Sequence, residues 1–172
     1  MNSPHYILLP VNPAFIAVSF AIAFFFNFLP WGGWIGVPDF VALVLVFWTI
    51  HQPRKVGIGV AFAMGLLMDV HDSIYMGENA LAYTLLSYFA IMIHRRVLWF
   101  HPLTQSLHVF PLFMFAQLVQ LAVRMLVAPD AHFPGWAYFT VSLVTTVLWP
   151  VATVLLLAPQ RRAKDKDHTR PI

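Results

Sequence analysis

GIGVAFAMGLLMDVHDSIYMGE, residues 57–78, decides what kind of molecule this chain makes. Gly57, Ala61 and Gly65 recur every fourth residue, which at about 100° per residue gives one drifting helical stripe, and Asp69 continues the count. The spacing predicts a helix from Val56 to about Val70 whose seam of small residues ends in a carboxylate. Small residues so spaced let two helix backbones approach closely inside a membrane, where packing replaces the hydrophobic drive of soluble bundles. The seam is therefore expected to face protein, with Asp69 buried or interfacial. His71 and Asp72 read equally well as solvated residues of a turn running from His71 to Glu78.

The rest of the chain agrees with a membrane setting. Hydrophobic residues make up 60% and charged residues 10%, against roughly 25% charged in ordinary soluble domains, and the mean hydropathy is +0.74. A spanning helix takes about 20 residues, so 172 residues hold five or six spans and no separate soluble domain. Residues 1–12 carry no Lys or Arg, unlike the basic start of a signal peptide, and the first apolar segment is expected to remain as a span. Without cysteine there is no disulfide framework, thiolate metal site or cysteine nucleophile. The net charge of +3 comes from basic residues at segment ends, with no long basic face for nucleic acid.

Taken in order, Pro13 opens a first span that runs to Pro30, and WGGWIGVPD, residues 31–39, reads as a turn at the lipid headgroups. Pro38 precedes a short second span, FVALVLVFWTI, closed by His51 to Lys55. Fusing it with the seam helix would leave Arg54 and Lys55 at mid-membrane, at a cost of at least about 2.5 kcal/mol each, so a hairpin is preferred. Gly77, Glu78 and Asn79 lead into a fourth span that His94, Arg95 and Arg96 stop; the acid and amide suit a helix start. A fifth span, from Leu103 to Ala128, carries Pro111 as an expected kink. On it Gln117, Gln120 and Arg124 share a face. Arg124 either snorkels to the outer surface or pairs with an acid, Asp69 and Glu78 being the best placed and Asp72 a third candidate. The sixth span, Ala137 to Ala158, contains Pro150 and ends before the tail QRRAKDKDHTRPI.

Six spans put Arg54, Lys55, Arg95, Arg96 and the tail cations on one face and leave Arg124 alone toward the other. The positive-inside rule makes the basic face cytoplasmic. The expected fold is thus an all-α integral membrane protein, a six-helix transmembrane bundle over residues 1–158 with both termini cytoplasmic and a basic tail at 159–172. Trp31, Trp34 and Trp136 then mark the outer interface.

Chemistry is sparse. No GxSxG, HExxH or GxxxxGK motif is present, and no helix carries a pair of intramembrane acids. No catalytic residue, metal site or cofactor is assigned; Asp69, His71, Asp72 and Glu78 with one histidine make a poor ligand set. The residues singled out are helix-packing or partner-interface candidates: Gly57, Ala61, Gly65, Asp69, Gly77, Glu78, Asn79, Gln117, Gln120 and Arg124. A transporter, the competing class, would show broken helices and mid-membrane polar groups, for which Pro111, Pro150, Gln117 and Gln120 are the hints.

FAMGLLMDVHDSIYMGENALAYTLLSY, residues 62–88, resembles the signature of the MreD family of bacterial rod shape-determining proteins, through Gly65, Leu66, Leu67, Asp69, Gly77, Ala80, Leu81, Ala82 and Tyr83. The likeness extends to residues 51–59, 94–100, 117–124, 133–136 and 148–150, and departs from the pattern between His71 and Met76. It implies a non-enzymatic scaffold subunit of the elongasome in the bacterial inner membrane, working in peptidoglycan synthesis and cell shape. The implied partners are MreC first, then MreB, RodA and the class B penicillin-binding transpeptidase, with membrane lipid around the bundle. The family is also similar in fold to the substrate-binding subunits of ECF transporters, which keeps a membrane substrate-binding or transport subunit as the alternative.

Overall fold

The computed structural model describes residues 7–8, 12–32, 36–72, 75–128 and 132–162, and these residues carry six α-helices. They are α1 (Pro13–Phe28), α2 (Phe40–His51), α3 (Ile58–Asp72), α4 (Glu78–Val97), α5 (Pro102–Val127) and α6 (Thr140–Leu157). One turn of 3-10 helix, Trp136–Phe139, leads into α6, and Ala158–Gln160 closes it. Backbone pairing of Ile7–Leu8 with Arg161–Arg162 joins the two ends of the described chain. By length and composition, α5 and the segment Trp136–Gln160 can each cross a membrane; α1 and α2 are apolar but shorter. Trp34 and the tail beyond Arg162 lie outside the described residues.

Local chemistry sets the helix starts. The Asn12 side chain accepts from the Ala14 amide and Pro13 occupies the first turn of α1, where its missing N–H costs nothing. Asp39 caps α2 by accepting from the Ala42 amide. Gly77 enters α4 at φ +99°, a conformation that side-chain-bearing residues rarely adopt.

The core is built around α2. Every residue from Val41 to Ile50 is buried, with α1, α4 and α6 packed around it. A helix enclosed on all sides is expected to be apolar all round, and this accounts for FVALVLVFWTI. Its one long polar handle, the Trp48 indole N–H, donates to the Ser19 hydroxyl of α1 at 2.8 Å. α1 itself packs mainly against α2.

Side-chain bonds tie each odd helix to the start of the even one that follows it: Asn27 to Asp39, Asp69 to Asn79, Gln117 to Ser142. The bundle therefore runs up and down. One end gathers Asp39, Asp69, Asp72 and Glu78, and is called the acidic end below. The other carries Arg54 and Lys55 after α2 and Arg95 and Arg96 in the last turn of α4.

Several boundaries differ from expectation. His71 and Asp72 belong to the last turn of α3, not to the following turn. The His71 ring stacks on Phe28 at 4.2 Å and Asp72 accepts from the Asn79 amide group at 2.9 Å, so tertiary contacts extend the helix past its apolar run. α4 runs through His94, Arg95 and Arg96 to Val97, because basic residues are favourable at the negative end of a helix dipole. Pro111 and Pro150, by contrast, lie inside α5 and α6, within the spans expected to contain them.

Candidate functional site

The seam helix meets its neighbour at Gly65. A Cβ placed there would stand 2.4 Å from the Ala80 Cα and 2.6 Å from both the Ala80 nitrogen and the Asn79 carbonyl oxygen. All three are backbone atoms, so α3 and α4 touch main chain to main chain. Ala61 and Asp69 are buried on the same side. Gly57 stands apart: its nearest would-be contact is the Pro53 carbonyl oxygen at 3.6 Å.

One turn beyond Gly65, Asp69 reaches across to the start of α4. Its carboxylate accepts from the backbone amides of Gly77 at 2.9 Å, Asn79 at 2.7 Å and Ala80 at 3.2 Å. These amides belong to the first turn of α4, where they have no intrahelical partners and the helix dipole is positive. Asp69 thus serves as a cap supplied by another helix, which explains how a 2% exposed carboxylate is accommodated without a cation beside it.

The cation goes elsewhere. Arg124 in the last turn of α5 holds Glu78 with Nη2 2.6 Å from Oε1 and Nε 3.4 Å from Oε2. Glu78 is nearly enclosed, its side chain 5% exposed, while that of Arg124 is 33% exposed. Around the pair, the Gln120 amide donates to the Asn79 side-chain oxygen at 2.7 Å, and the Tyr138 hydroxyl donates back to Gln120 at 3.4 Å. Gln117 donates to the Tyr138 carbonyl and accepts from the Ser142 hydroxyl and amide. The shared face of Gln117, Gln120 and Arg124 accordingly points into the bundle.

A second knot centres on Asp39, the last residue of the segment 31–39 expected to form a turn. Besides capping α2, it accepts from the Tyr83 hydroxyl at 2.6 Å and the Asn27 amide at 3.2 Å, and its own amide donates to the Thr145 hydroxyl. Asn27, Tyr138, Ser142 and Thr145 are likewise outside the candidates read from the sequence, and Tyr83 is named there only as a residue of the family signature. The one available signal was an Asp directly before an apolar run, the position of a helix N-cap; the others are single polar residues on four different segments.

All six helices thus send polar groups to the acidic end, where they surround a cavity of about 250 Å³ lined by Asp39, Asp72, Glu78, Asn79, Gln120 and Arg124, among others. Among the described residues, no buried side-chain nitrogen or oxygen lacks a hydrogen-bond partner, and no three His, Asp or Glu side chains converge as a metal site. A fully satisfied buried network rigidifies and specifies a packing arrangement. That is the chemistry this site performs: it fixes the register of α3, α4, α5 and α6 against one another. The outward surface is the converse, with large apolar side chains such as Phe25, Val70, Leu126 and Leu155 standing exposed.

Comparison with known proteins adds two findings. The family model for the rod shape-determining protein MreD matches residues 10–158. The rod shape-determining protein MreD of Haemophilus influenzae is 28% identical over 151 residues, covering 84% of this chain and 90% of that protein. No solved structure matches the chain.

Proposed function

This chain belongs to the MreD family of rod shape-determining membrane proteins, and on that premise we propose that it is a non-enzymatic, multi-pass scaffold of the elongasome in the bacterial inner membrane. In this reading all six helices span the bilayer and both termini are cytoplasmic, because the basic end carries Arg54, Lys55, Arg95 and Arg96. The partners are MreC first, and MreB, RodA and the class B penicillin-binding transpeptidase in the larger assembly.

The observation that carries the reading is the division of the bundle into a polar interior bonded to itself and an apolar exterior. Asp69, Glu78, Asn79, Gln117, Gln120 and Arg124 are all engaged within the chain. A helical bundle with short connections meets partners through its lateral faces, where a partner's transmembrane helix can pack. The polar end is there to keep those faces in fixed relation.

Copurification from gently solubilised membranes, read out by mass spectrometry, tests the proposal. Recovery of MreC and the cell-wall synthases is expected. Recovery instead with an ATPase pair and a tightly held small molecule would replace the scaffold by a transport subunit.

A further inference from the structure

We propose that the groove between the end of α4 and the start of α5, at the basic end, is a binding site for one anionic phospholipid. It rests on the bundle lying in a membrane and is independent of the role in cell shape.

The groove holds about 800 Å³ and is lined by Arg95, Arg96, Trp99, Leu107, Pro111 and Leu112, among others. Its wall is stiffened where Phe100 stacks on His108, ring centres 4.7 Å apart. Arg95 and Arg96 come from the last turn of α4, and the apolar lining residues Leu107, Pro111 and Leu112 follow α5 away from that end. Charge at one end and hydrocarbon along the rest is the polarity of a phospholipid.

Charge complementarity decides the headgroup. The acids Asp39, Asp69, Asp72 and Glu78 all lie at the opposite end, and among the described residues the ion pairs are Arg124 with Glu78 and His71 with Asp72. Among the described residues, Arg95 and Arg96 are exposed neighbours with no carboxylate paired to them. Guanidinium forks match a phosphate through paired N–H donors better than a single ammonium does, and basic pockets between membrane helices at this surface hold anionic headgroups. Trp99 is 88% exposed and Leu107 73% exposed. An indole at this level suits the interface between headgroup and acyl chain, with its N–H toward the polar side.

The test uses the purified full chain in neutral detergent, titrated with phosphatidylglycerol or phosphatidylcholine of the same acyl chains, or with glycerol phosphate alone, and read by native mass spectrometry. Wild type should retain phosphatidylglycerol about 30-fold better than phosphatidylcholine, the attraction of two basic residues at a membrane surface, and should not retain glycerol phosphate. R95Q/R96Q should bring the two lipids close to parity. L107W keeps both charges but fills the groove, and should lower phosphatidylglycerol retention several-fold. R54Q/K55Q, at the same end but outside the groove, should keep the preference. Equal retention of both lipids by wild type would overturn the proposal, and so would a preference that survives R95Q/R96Q and L107W but vanishes in R54Q/K55Q. Retention of glycerol phosphate as tight as that of the lipid would also overturn it, since the apolar groove would then have no part.

Discussion

Arg124 and Glu78 stand 46 residues apart in the chain and meet as an ion pair, Nη2 to Oε1, at 2.6 Å. The pair joins the last turn of α5 to the first residue of α4. Each charge also sits at the helix terminus whose dipole favours it, an acid at an N-terminus and a cation at a C-terminus. Arg124→Ala should therefore leave Glu78 buried and uncompensated, at a cost of roughly 3 kcal/mol, toward the lower part of the range for broken buried pairs because Arg124 keeps part of its surface exposed. Removing both charges together should cost less than the sum of the single changes. Thermal unfolding in detergent of Arg124→Ala, Glu78→Ala and the double variant checks this, and strict additivity would show that the two residues do not act as a pair.

Gly65 admits no side chain. With a Cβ 2.4 Å from the Ala80 Cα, Gly65→Ala must push α3 and α4 apart, at a cost of about 1–3 kcal/mol, the range for overpacking. Gly59 on the same helix has nothing within 4 Å of its would-be Cβ, and Gly59→Ala should be neutral or slightly stabilising through helix propensity. Unfolding midpoints of the two variants should fall on opposite sides of, or far apart relative to, wild type. Equal midpoints would mean the close contact carries no weight.

Asp69 should be replaceable neither by Ala nor fully by Asn. Asp69→Ala leaves the half-buried Gly77 amide and the buried Asn79 and Ala80 amides without their acceptor, at a cost of about 1–3 kcal/mol. Asp69→Asn keeps one acceptor oxygen and should cost less. Amide hydrogen exchange at Asn79 and Ala80 should speed up in the order wild type, Asn, Ala. Unchanged protection in Asp69→Ala would show that the cap is dispensable.

Orientation is open to a direct check. A reporter active only in the cytoplasm, fused after Lys55, after Arg96 and after Arg170, should be active at all three sites. Silence at Lys55 or Arg96 would rule out six spans with cytoplasmic termini.

Helix positions were largely legible, because apolar runs bounded by Pro, Gly and basic residues leave few other readings. α1 starts at Pro13 and α2 ends at His51, where the punctuation of the chain places them. Ends governed by tertiary contact were not. His71 and Asp72 look like loop residues until Phe28 and Asn79 are found beside them. In the site, the four-residue rhythm led to Gly65 and Asp69 but also to Gly57, since periodicity continues whether or not a neighbour is present. Asp39 was passed over for the opposite reason: its partners Asn27, Tyr83 and Thr145 come from three other helices, and nothing local announces them.

The enclosure of α2 bears on how the protein is made. Its 12 residues rise only about 18 Å against a hydrocarbon layer of about 30 Å, and α1, α4 and α6 cover it on every side. In the six-span reading proposed above, α2 is therefore a poor substrate for independent insertion: hydrophobic enough to leave water, too short to rest alone in lipid. Its final place exists only once α6 has closed over it. Biogenesis is then a matter of timing, with α2 waiting for α6, and a chain cut short before Thr140 has no seat for its own centre.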